Sequence, residues 1–119
     1  MNTKRYTSGQ VLHLFNGEIG TVNEAEEYAI CQALSMLPAT MVDDIAENVW
    51  FISMAGLDGL RVTLEGIRAK AMIILSQSFN DLTEEEQVKV VLHEVGHYID
   101  RSPLGESAAE EFVDKYYMK

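Results

Sequence analysis

The sequence predicts one α+β domain in which helices pack on a small, mostly antiparallel sheet. Apolar residues recur at helical spacing over residues 23–48 and again over 83–117. Between them, residues 49–76 fall into short apolar runs rich in β-branched and aromatic side chains and separated by glycines. An Asp58-Gly59 pair between two of those runs is a hairpin signal and points to antiparallel pairing. The 119 residues, 47% of them hydrophobic, suffice for one core spanning the chain, and no repeat or Gly/Ser-rich linker divides them.

Residues 1–22 contain the apolar cluster Val11, Leu12, Leu14 and Phe15, which suits a short helix or a strand equally. Asn23 with Glu26 three residues on forms a plausible N-cap, and Ala29, Ile30, Ala33, Leu34 and Leu37 give the following helix its apolar face up to Pro38. A second helix, from about Ala39 to Asn48, has Met41, Val42, Ile45 and Val49 on its apolar side. Three strands are expected next, Val49 to Met54, Leu60 to Leu64 and Ala71 to Ser76, the last as an exposed edge. Thr83 and Glu86 make a capping box ahead of a helix whose apolar face is Val88, Val91, Leu92, Val95 and Ile99. Ser102-Pro103-Leu104-Gly105 breaks that helix, and a last one, from about Glu106 to Tyr117, buries Ala109, Phe112, Val113 and Tyr116.

Nine basic against 19 acidic residues give a formal charge of -10, a surface that repels phosphate backbones and argues against nucleic-acid binding. No apolar stretch has the length of a membrane span, and the N-terminus lacks the apolar region of an export signal, so a cytoplasmic, membrane-free protein is expected. The single cysteine, Cys31, fits a reducing compartment and reads as a buried thiol. His13, alone in its apolar cluster, reads as a packed or half-exposed side chain.

The stretch His93-Glu94-Val95-Gly96-His97 lies inside the predicted fourth helix. Residues four apart share a helix face, so both histidines can direct a ring nitrogen at one zinc ion, at about 2.0–2.1 Å. Glu94 follows His93 by about 100° of helix rotation, where it can reach a metal-bound water as general base without being a ligand. Gly96 costs the helix about 1 kcal/mol, which suggests that another element packs tightly against that turn. A catalytic zinc needs a third protein ligand and an open position. Asp100, Glu106, Glu110 and Glu111 are the candidates. Asp100 suits a role outside the ligand shell and Glu111 a solvated one, whereas Glu106 and Glu110 lie one turn apart on one face, and either can be the ligand. Tyr116 or Tyr117 is a candidate phenolic donor, weighed against a role in packing.

His93-Glu94-Val95-Gly96-His97 together with Glu106-Ser107-Ala108-Ala109-Glu110-Glu111-Phe112 resembles the gluzincin peptidases, and among them the minimal ImmA/IrrE-like metallopeptidases of phages and mobile elements. The resemblance covers about residues 71–117. It implies a zincin-like fold with zinc held by His93, His97 and Glu106, Glu110 outside the ligand shell, and Glu94 as the catalytic base. The implied activity is hydrolysis of a peptide bond in a protein substrate such as a regulator, bound by strand addition to the edge strand. The alternative is a zincin-shaped module that binds a protein partner without cleaving it.

Overall fold

The structure, a computed structural model, describes residues 4–15, 20–54, 71–99 and 105–118. Helix α1 (Ser8–Leu14) is followed by the two-residue strand β1 (Gly20–Thr21), helices α2 (Glu24–Ser35) and α3 (Ala39–Asn48), and strand β2 (Val49–Ser53). Strand β3 (Ala71–Leu75), a 3-10 turn over Gln77–Asp81, and helices α4 (Glu84–Ile99) and α5 (Gly105–Tyr116) complete the order.

The helix starts are set by side-chain caps. Asn23 Oδ1 accepts from the Glu26 amide while a Glu26 carboxyl oxygen accepts from the Asn23 amide. Thr83 and Glu86 repeat the arrangement at α4, and the donated hydrogen bonds from Thr83 hold the Glu86 carboxyl below the usual carboxylate range. The ambiguous N-terminal cluster resolves as helix α1, because Thr7 and Gln10 form a third reciprocal cap.

The sheet differs from the sequence-based expectation. Its order is β1-β2-β3, and both described pairings are parallel, with Val49 opposite Ala71 and Ser53 opposite Leu75. The physical reason lies in β2, where four of five residues are buried, the pattern of a strand covered on both faces. Residues 54–70 join β2 to β3, long enough for the crossover that parallel strands require. The expected strand at 60–64 and the Asp58-Gly59 turn lie outside the described residues, as do Asp100 and the break at 102–104.

Val49 and Phe51 of β2 join Ile73 and Leu75 of β3 in one apolar cluster with Ile30 and Leu34 of α2 and Val91, Leu92 and Val95 of α4. β3 alternates, burying Ile73 and Leu75 while Met72 and Ile74 are exposed, as on a strand with one face in water. Its one described sheet neighbour is β2. A polar node braces the sheet from inside: fully buried Glu26 accepts from the Ser53 hydroxyl at 2.6 Å and from Asn80 Nδ2 at 3.3 Å. Helix α2 is thereby tied both to the end of β2 and to the turn that precedes α4. Among the described residues, no helix is long and apolar enough to cross a membrane.

Candidate metal centre

Burial of Val88, Val91, Leu92 and Val95 fixes the rotation of α4 about its axis. Turning that stripe inward leaves His93 and His97, one turn apart, half-buried on a flank facing α5. Gly96 then decides how near α5 can come. A Cβ placed there would lie 3.0 Å from Phe112 Cβ and 3.1 Å from Ala109 Cα, so the missing side chain is what lets the two helices touch. Contacts of Glu106 with His97 and of Tyr117 with Lys89 show that the helices run antiparallel.

This packing brings the first turn of α5 over the histidine pair. Glu106 Oε1 lies 2.9 Å from His97 Nε2, and Oε2 lies 3.2 Å from His93 Nε2. The two Nε2 atoms are 3.1 Å apart, with the rings inclined at 77°. One nitrogen from each histidine and one carboxylate oxygen therefore all lie within 4.8 Å of one another, a group that can hold a metal ion.

The donor set suits zinc. Tetrahedral bonds of about 2.0–2.1 Å place neighbouring ligand atoms about 3.3–3.4 Å apart. The two Nε2 atoms, 3.1 Å apart, fall a little short of that, and each lies nearest a different oxygen of Glu106. The side chain of Glu106 is 77% exposed and those of His93 and His97 are 26% and 31% exposed, so the group is open to solvent. Among the described residues the group has three members.

A cleft of about 440 Å³ adjoins the group between α4 and α5, and His93 and Glu94 both line it. Glu94, the neighbour of the first histidine, thus borders open space beside the His93 side chain. Glu110 lines the same cleft and makes no hydrogen bond to either imidazole among the described residues. Glu111 is exposed. Neither candidate tyrosine borders the cleft: Tyr116 packs against Phe112, with centroids 4.7 Å apart, and Tyr117 lies under the Lys89 ammonium. His13 is exposed on α1, and Cys31 is buried in α2.

Lys89, Val90 and Asp114 also line the cleft, and sequence reasoning did not single them out. The signal was present in the spacing. Lys89 precedes His93 by one turn and Asp114 follows Glu110 by one, so an antiparallel helix pair continues the seam beyond the histidines. Searches of protein-family models, curated proteins and solved structures return no match to this chain.

Proposed function

We propose that this chain is a zinc metallopeptidase of the gluzincin type, with His93, His97 and Glu106 as the ligands and Glu94 as the catalytic base. The observation that carries the reading is the convergence of two imidazole Nε2 atoms and one carboxylate across two helices, next to a cleft bordered by Glu94. Zinc bound there would lower the pKa of its water to about 7 and polarise the scissile carbonyl.

The chain supplies the remaining chemistry. His93 and His97 offer one Nε2 atom each, and Glu106 adds a negative charge that favours a dication at their meeting point. The Glu94 carboxylate takes the proton of the attacking water and returns it to the leaving amine nitrogen, a relay worth about 10²–10⁴ in rate. The outward-facing side chains of β3, Met72 and Ile74, suit an extended peptide added at that strand. The substrate is then a peptide or protein.

Glu94→Gln tests the reading against a non-catalytic binding module. Wild type should cleave members of a random, end-blocked octapeptide library with product fragments visible by mass spectrometry. The variant should keep its zinc and lose cleavage by about 10²-fold or more. Unchanged partner binding with no cleavage by wild type would favour the module.

A further inference from the structure

Glu106, Glu110 and Asp114 succeed one another at intervals of four residues along α5, so the ligand carboxylate is the first of three on one helical stripe. The second and third line the cleft, about 6 and 12 Å along the helix from Glu106. Val90 and Val113 add apolar surface between them. With Glu94, the cleft gathers three carboxylates and one cation, Lys89, among the described residues.

That cation is already engaged. Lys89 Nζ lies 3.3 Å from Glu85 Oε1 and 4.9 Å from the centre of the Tyr117 ring, which draws its charge toward the far end of the seam. The cleft therefore offers apolar walls with two carboxylates, Glu110 and Asp114, that make no ion pair among the described residues. A long aliphatic stem ending in a cation matches both features at once.

We infer that the cleft between α4 and α5 is a specificity pocket for an arginine or lysine side chain of the substrate, near the scissile bond, with Glu110 and Asp114 as its carboxylates. The inference rests on the peptidase reading for the meaning of "substrate", but binding of the side chain does not require hydrolysis. The net charge of -10 works in the same direction by drawing basic peptides toward the surface.

The test is a titration of the isotopically labelled full chain, followed by amide NMR, with N-acetyl-arginine N-methylamide, its norleucine counterpart and glycinamide. The arginine compound should shift the amides of Val90, Glu110 and Val113 and half-saturate at about ten-fold lower concentration than norleucine. Glu110→Gln combined with Asp114→Asn should erase that difference. Equal binding of norleucine, shifts that lie elsewhere or are absent, or a preference that survives the double variant would overturn the pocket. Glycinamide binding as well as arginine would assign the carboxylates to a peptide amino-terminus and overturn it equally. Because the readout is binding, failure here is separate from failure of zinc binding or of the Glu94→Gln comparison.

Discussion

Gly96 of α4 and Ala109 of α5 meet backbone to backbone, and a methyl group on Gly96 would stand 3.1 Å from the Ala109 Cα. The contact sets the helix separation that lets Glu106 span His93 and His97. Gly96→Ala raises helix propensity by about 1 kcal/mol, yet Ala109 Cα and Phe112 Cβ cannot swing aside as a side-chain tip would. The overpacking should win, giving a net loss of about 1–2 kcal/mol in urea denaturation and weaker zinc binding in a competition titration with a chelator. A more stable protein with unaltered zinc affinity would show that the close approach is not what positions Glu106.

Glu26→Ala should cost more, about 3 kcal/mol, because it strands the buried Ser53 hydroxyl and the Asn80 amide and removes half of the α2 cap. Glu26→Gln keeps the shape and one acceptor oxygen and should lose less. Urea midpoints for the two variants check the order.

Cys31 gives a pH dependence with a definite sign. Burial, reinforced by the nearby Glu27 charge, pushes its thiol from 9.0 up to about 11. Above pH 9 the unfolded chain releases the thiol proton while the folded chain keeps it, so unfolding is favoured as pH rises and levels off above about 11. Stability should therefore decline from pH 9 to 11 by an amount that Cys31→Ala removes, as measured by denaturant midpoints across that range. In the native protein near pH 8 the thiol should also resist alkylation until the chain unfolds.

Local features were the legible ones. The caps at Asn23 and Thr83 and the apolar stripes of α2 to α5 follow from neighbours in sequence, and so does the placing of His93 and His97 on one face. The Thr7/Gln10 cap was equally present in the sequence but was masked by the ambiguous cluster that follows it. Strand direction was not legible: Asp58-Gly59 argued for a hairpin, and only the buried run Val49 to Ser53 carried the opposite signal. The choice among acidic residues was likewise tertiary. Glu106 and Glu110 share a face of α5, and which of them reaches the imidazoles depends on how far along α4 that helix docks, a distance fixed by Gly96 against Ala109 and Phe112.

The most direct test of the account is the zinc content of the purified protein by plasma emission spectrometry, for wild type beside His93→Ala, His97→Ala, Glu106→Ala and Glu110→Ala, with circular dichroism to confirm that each is folded. About one zinc per chain is predicted for wild type. It should be lost in the two histidine variants and in Glu106→Ala and kept, at most weakened, in Glu110→Ala. No zinc in wild type after reconstitution, or zinc retained without Glu106 and lost without Glu110, would contradict the ligand set on which the proposed function stands.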